Sequence, residues 1–195
     1  MSESTNQILQ QSISRASVYR LLARLWICEL DAALLDALAE PEIRSILDGF
    51  QPSLEIPELK DLEDLQVEYC RLFVGPTDHL PPLQSVWQEA QLHGEAVVSF
   101  RNYCELVGYQ GNQHHPHSLD DHFGLQLDLM AKLLDASPAT PQEAAECIQS
   151  YFVSHLDWSQ VFLEEVQKRT SAPFYRSLSQ LTQTFLRLER QSVAQ

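Results

Sequence analysis

The sequence predicts an all-α protein, a compact bundle of about nine to eleven helices. Three observations lead there. Only 6 glycines stand among 195 residues, which leaves few sites for hairpin turns and bulges, while leucine, alanine, glutamine and glutamate, all good helix formers, dominate. Apolar residues recur at three- and four-residue spacing along nearly the whole chain. No stretch alternates apolar and polar as a half-buried strand would, and there is no internal repeat or low-complexity segment.

The elements follow in order. Val18, Leu21, Leu22 and Leu25 form one stripe on a first long helix. Asp31 can cap a short helix carrying Leu34, Leu35 and Leu38, and Pro41 opens another with Ile43, Ile46 and Leu47 that Gly49 can end. Gln51 to Pro57 reads as a loop. Leu62, Leu65, Tyr69 and Leu72 continue the period until Gly75-Pro76 stops it. Gly75 to Gln84, with three prolines and no period, is an ordered loop. Ser85 with Gln88 is a potential capping box for a helix lined by Val97, Phe100, Cys104 and Val107, and Gly108 is its terminator.

Ser118 with Asp121 is a second potential box. Phe123, Leu127, Met130 and Leu134 follow at helical spacing, and Leu125, Leu129 and Leu133 give that helix a second apolar face, so it is expected to be buried on most sides. Thr140 and Pro141 start a helix with Ile148, Tyr151 and Phe152. Asp157 begins the next, and Pro173 the last, where Phe174, Leu178, Leu181, Phe185 and Leu188 repeat. Residues 1–195 read as a single helical domain with halves 1–108 and 118–195 joined by a polar hinge at 109–117.

A hydrophobic fraction of 44% and a mean hydropathy of -0.22 are those of an ordinary globular protein. The formal net charge of -14, from 27 acids and 13 bases, repels phosphate backbones and attracts cationic peptides. Without a basic stripe, nucleic acid is a poor partner. Cys28, Cys70, Cys104 and Cys147 are far apart and form no CxxC pair, as in a reducing compartment. The N-terminus is polar and acidic rather than signal-like, and no apolar run approaches the roughly 20 residues of a membrane span. The expected location is the cytoplasm, with no membrane insertion.

Enzyme signatures are mostly missing: no GxSxG elbow, Walker loop, GxGxxG after a strand or HExxH. His114, His115, His117, Asp120, Asp121 and His122 make the one metal-like constellation, but neighbouring histidines on a loop converge only with supporting groups. A metal-dependent or nucleotide-hydrolysing enzyme using His114, His117, Asp121 and His122 is therefore the alternative, and no cofactor is assigned. Asp121-His122 at a helix start suits a cap, or an exposed acidic-aromatic pair for a cationic ligand. Tyr69, Leu72, Phe73 and Trp87 flank the proline-stiffened loop. Such loops can present a pre-shaped apolar surface, with core packing the simpler reading.

These residues resemble a known family. Glu68-Tyr69-x-x-Leu72-Phe73-x-Gly75-Pro76, then Pro81-Pro82-x-x-Ser85-Val86-Trp87, is similar to the signature of the TorD/DmsD/NarJ chaperones, which mature redox enzymes. Asp121-His122-Phe123-Gly124-Leu125 through Met130 resembles a second family block. His155-Leu156-x-Trp158, Phe162 and Phe174-Tyr175 with Leu178 resemble a third. The likeness runs from about residue 10 to residue 188 and is nearest the TorD/DmsD branch.

The resemblance implies a cytoplasmic TorD-like chaperone, not an enzyme, that binds the twin-arginine leader of a molybdenum-cofactor oxidoreductase until the cofactor is loaded, delaying Tat export. It also implies homodimers by exchange of helical halves and docking of molybdenum-cofactor biosynthesis proteins. Tyr69, Leu72, Phe73, Pro82, Trp87, Asp121 and His122 inherit the leader-binding surface. The chain departs from the family pattern at Leu119, often proline, and at Gln126, often glutamate; the latter removes one candidate anchor for arginine. The expected mechanism has the leader's apolar region fold as a helix against Leu72, Phe73, Pro82 and Trp87. Its arginines would bond acids such as Asp121.

Overall fold

A computed structural model describes residues 3–50, 53–111, 119–136 and 140–193, with side chains from Arg15 onward in the first helix. Among the described residues ten α-helices follow one another: α1 Glu3–Ile27, α2 Ala32–Ala39, α3 Pro41–Asp48, α4 Leu62–Tyr69, α5 Gln84–Glu89, α6 Glu95–Val107, α7 Phe123–Asp135, α8 Pro141–His155, α9 Ser159–Arg169 and α10 Pro173–Val193. No β-strand is present among them, only an isolated antiparallel bridge between Leu83 and His122. The expected all-α class holds.

Two compact units divide the chain. One takes Met1–Ile27 and Leu83–Trp158, the other Cys28–Pro82 and Ser159–Val193. The polypeptide thus passes between units after Ile27, after Pro82 and after Trp158. Most of the expected hinge, 112–117, lies outside the described residues.

The first unit is built on α7. Phe123, Leu125, Leu127, Leu129 and Met130 are all fully buried, so this helix is covered on most sides as its two apolar stripes predict. α1 is its main partner, and Gly124 is what lets the two approach. A Cβ at position 124 would lie 2.8–2.9 Å from Ile27 backbone and Cβ atoms, closer than packed atoms tolerate. Trp26 then meets Phe123 edge-on at 5.6 Å.

Two helix starts differ from the expected caps. Ser85 lies inside α5, not before it, and α6 is a separate helix after a left-handed turn at Ala90. The α6 start is held from outside: the Glu89 carboxylate accepts from the backbone N–H groups of Glu95 and Ala96, both at 2.9 Å. Those N–H donors, Ala96 first, hold Glu89 below the usual carboxylate range. Ser118 lies outside the described residues, and α7 is capped by His122, whose Nδ1 accepts from Gly124 N at 3.1 Å. Gly108 does end α6, at φ 61°, a conformation glycine adopts without steric cost.

The second unit pairs α9 with α10. Phe162, Leu163 and Val166 of α9 are fully buried, and Phe174, Leu178, Leu181 and Phe185 of α10 supply the stripe the sequence predicts. Leu188, expected to continue it, is 49% exposed, and the buried face runs on through Leu186 and Glu189 instead. Asp31 caps α2 by accepting from Leu34 N at 2.7 Å, and Pro41 and Gly49 bound α3 as expected.

Candidate functional site

The signature residues of the second unit sit on α4 and the turn that follows it. Cys70–Val74 leave the α pattern for a single π turn, a local widening that is often retained at functional sites. Gly75 N closes it by donating to Cys70 O at 2.6 Å, and Leu80 N returns the proline loop by donating to Leu72 O, also at 2.6 Å. Widening the turn brings Leu72 and Phe73 inward, and they are 1% and 5% exposed. Phe73 meets Tyr69 edge-on at 5.0 Å, Tyr175 at 5.9 Å and Phe162 at 6.1 Å. Tyr69, itself 6% exposed, lies 6.3 Å from Tyr175. Burial drives the Tyr175 phenol well above its ordinary value, while its hydroxyl donates to Leu65 O at 3.1 Å.

Glu68, the acid that opens the signature, is 7% exposed and fully engaged. It accepts from Arg71 Nε at 2.6 Å and Nη2 at 2.9 Å, and from Ser171 N at 2.9 Å and Thr170 Oγ1 at 3.0 Å at the approach to α10. Burial by itself would raise its pKa. The bonds from Arg71, Ser171 and Thr170, with the Arg71 charge, outweigh that and lower it to about 2. Arg71 also donates to Arg169 O at 2.9 Å. The clasp therefore fixes α4 against the 169–173 turn.

In the first unit, Asp121 is 1% exposed. Its Oδ2 accepts from Ser85 N at 2.7 Å and its carbonyl from Gln84 N at 3.2 Å, so both serve the start of α5. Asp121 Oδ1 and Ser85 Oγ are buried without a hydrogen-bond partner among the described residues. His122 is 7% exposed and occupied at Nδ1 as the α7 cap. Trp87, on α5, is half-buried.

The structure thus gathers Tyr69, Leu72 and Phe73 into one aromatic cluster, and sets Trp87, Asp121 and His122 around α5 and the start of α7. Pro82 is buried at the end of the proline loop. The open apolar surface expected of Leu72 and Phe73 is not what their side chains present; the π turn directs them into the core. Asp121, expected to meet an arginine, already caps a helix, because backbone N–H groups at a helix start outcompete solvent for a nearby carboxylate.

Sequence reasoning missed a buried polar network beside this cap. Gln84 Nε2 donates to Ser154 O at 2.6 Å and to Gln88 Oε1 at 2.7 Å. Its Oε1 accepts from Gln126 Nε2 at 2.6 Å and from His155 Nδ1 at 2.9 Å. Trp158 Nε1 donates to Gln126 Oε1 and to His155 O, each at 2.9 Å. With Nδ1 donating to a carbonyl oxygen, His155 Nε2 is left to accept from Ser99 Oγ at 3.0 Å, which is the neutral imidazole. Burial lowers its pKa to about 4. The available signal was position: His155 lies four residues after Tyr151, on the apolar face of α8. Gln126 is fully buried, so the departure from glutamate there tunes this network and not a surface anchor.

The histidines at 114, 115 and 117 lie outside the described residues. Among the described residues, no group of three or more His, Cys, Asp or Glu side chains could hold a metal. Cys28, Cys104 and Cys147 are partly buried and Cys70 is exposed, all of them free thiols; burial first, then the Asp120 charge, pushes Cys104 up to about 12.

Comparison with known proteins shows the family of the chain. The chain is 27% identical to the chaperone protein TorD of Vibrio vulnificus strain YJ016 over 199 residues, covering 90% of this chain and 92% of that protein. It is 26% identical to the chaperone protein TorD of Shewanella loihica over 202 residues, covering 90% and 91%. The chaperone protein YcdY of Escherichia coli K12 is 29% identical over 124 residues, covering 63% and 61%. A family model described as nitrate reductase delta subunit matches residues 32–176, most of the chain, and the chain belongs to that family, the TorD/DmsD/NarJ group it resembles.

Proposed function

We propose that this protein is a chaperone for the maturation of a molybdenum-cofactor oxidoreductase, and that it acts by binding the twin-arginine leader of that client before Tat export. The observation that carries the reading is the alignment, over nine-tenths of the chain, with proteins named as chaperones. The reading makes the chain a binding protein rather than an enzyme. Its charge of -14 supports it, since an acidic body attracts a cationic leader and speeds encounter. Among the described residues no helix is long and apolar enough to cross a membrane. Cytoplasmic residence, docking of cofactor-biosynthesis proteins and pairing by exchange of helical halves belong to the same proposal.

Burial changes the form that leader binding takes. Leu72 and Phe73 have almost no free area to give to a visitor, so their direct use requires the π turn to open. Trp87, half-buried, can touch a peptide without rearrangement. Asp121 and His122 then frame the start of α5, which carries Trp87, and Tyr69 and Pro82 belong to the buried part of the second unit. Calorimetric titration with the host's twin-arginine leaders tests this reading. Binding near micromolar or tighter is expected for one of them, and Trp87→Ala should weaken it tenfold or more with helicity unchanged. Failure of every such leader to bind the wild-type protein overturns the reading.

A further inference from the structure

A cleft of the second unit is lined by none of the seven residues expected to bind the leader. It is a cavity of about 440 Å³ between the 55–57 segment, α4 and the start of α10, within the roughly 300–1,000 Å³ of common ligand pockets. Its apolar lining includes Pro57, Leu65, Val67 and Phe174, and its acids are Glu55, Asp61, Asp64 and Glu68. The walls are fixed. Glu55 N donates to Ser177 Oγ of α10 at 3.0 Å, and the Glu68 clasp ties α4 to the 169–173 turn.

The charge of this cleft is one-sided. None of the residues lining it is a lysine or arginine. Of the nearby cations, Arg71 pairs with Glu68, Arg169 with Asp78 and Lys60 with Glu58, while Arg176 donates to Thr170 O at 3.0 Å. Glu68 is likewise consumed. Glu55 and Asp64 are exposed and make no ion pair among the described residues, while Asp61 accepts only from Glu58 N, at 3.2 Å. An acidic first turn of α4 is explained in part by the positive end of the helix. That leaves unexplained why Glu55, on a different segment, faces the same apolar hollow, and why Val67 stays 64% exposed at its edge.

We propose that this cleft receives an arginine-bearing segment of the client leader. The guanidinium groups meet Glu55, Asp61 and Asp64, and the methylene stems and an adjacent apolar residue lie on the accessible Ile56, Pro57 and Val67. The inference rests on the leader-binding reading above and assigns its arginine subsite to α4 and the 55–57 segment instead of Asp121. An arginine suits such a place better than a lysine, because its planar fork can bridge two carboxylates while its stem covers apolar surface.

The test is calorimetry with a synthetic peptide carrying two adjacent arginines followed by an apolar run, and with the same peptide carrying glutamines in their place. The Glu55→Gln/Asp64→Asn double variant should bind the arginine peptide at least tenfold more weakly than wild type does. It should also discriminate little between the two peptides, with an unchanged far-ultraviolet spectrum. Wild-type preference for the arginine peptide that survives intact in the double variant overturns the cleft assignment and leaves the chaperone reading standing. No binding of the arginine peptide by wild type brings down both.

Discussion

The two units share edge-on ring packing and differ in how they bury polarity. The second unit closes on aromatic rings, with Phe73 against Tyr69, Phe162 and Tyr175, and holds its buried Glu68 in a clasp with Arg71. The first unit buries polarity at its centre: Gln84, Gln126, His155 and Trp158 share four hydrogen bonds beside the Asp121 cap. Ring packing depends chiefly on filled volume, with edge-on geometry a smaller contribution. A buried amide and imidazole network depends on every partner being present, and on the imidazole staying neutral. One unit should therefore respond to lost volume, the other to lost polarity and to acid.

The largest expected effect is on volume. Phe73→Ala should cost about 3–5 kcal/mol, read as a shift in the denaturant midpoint. A loss under about 1 kcal/mol would mean that the second core is not built on ring contact. The pH response comes next. His155 titrates at about 4 in the fold against 6.5 when free, so the unfolded chain takes up a proton first as pH falls. Stability is then lost progressively from pH 6.5 down to about 4. At roughly 1.4 kcal/mol per pH unit this amounts to about 3 kcal/mol, and His155→Gln should flatten that part of the stability–pH curve. If the variant and wild-type curves are parallel there, the neutral buried imidazole is wrong.

Glu68 gives the opposite unit its own window. Its pKa falls from 4.5 to about 2, so its stabilisation is complete above 4.5 and is lost as pH drops through 2. Glu68→Gln should cost about 2 kcal/mol at neutral pH, through weakened charge-assisted bonds, and remove that acid loss. The smallest effect is expected of Gln126→Leu, about 1 kcal/mol. Its partners each keep a second bond, Gln84 Oε1 from His155 and Trp158 Nε1 to His155 O. A cost well beyond that in thermal melts would show the network to be cooperative, sharpening the contrast with the ring-packed unit.

Much of this was legible from local pattern. Asp31, Pro41, Gly49, Gly108, Thr140 and Pro141 mark helix ends where the structure has them, because capping depends on a few neighbouring backbone groups. The two stripes of α7 announced its burial for the same reason. The partition of α5 from α6 was not legible. The donors of α6 are satisfied by Glu89, six and seven residues upstream, beyond the reach of a capping-box rule. For the candidate site, the signature was recognisable as a string, yet its burial was not: whether Leu72 and Phe73 face a peptide or a core turns on one widened helical turn.

By itself, the sequence determined the helical class, most helix ends, the strongly acidic charge and the family, since spacing, cap chemistry and composition act over a few residues or over the whole chain at once. Tertiary structure alone decided which polar side chains are spent. Asp121 on α5, Glu68 on the 170–171 turn, and His155 on Gln84 are pairings between residues 36 to 103 positions apart. A carboxylate or imidazole reads the same in a sequence whether it is held by such a partner or open to solvent, because only the folded chain sets the distance that separates a clasp from a binding group.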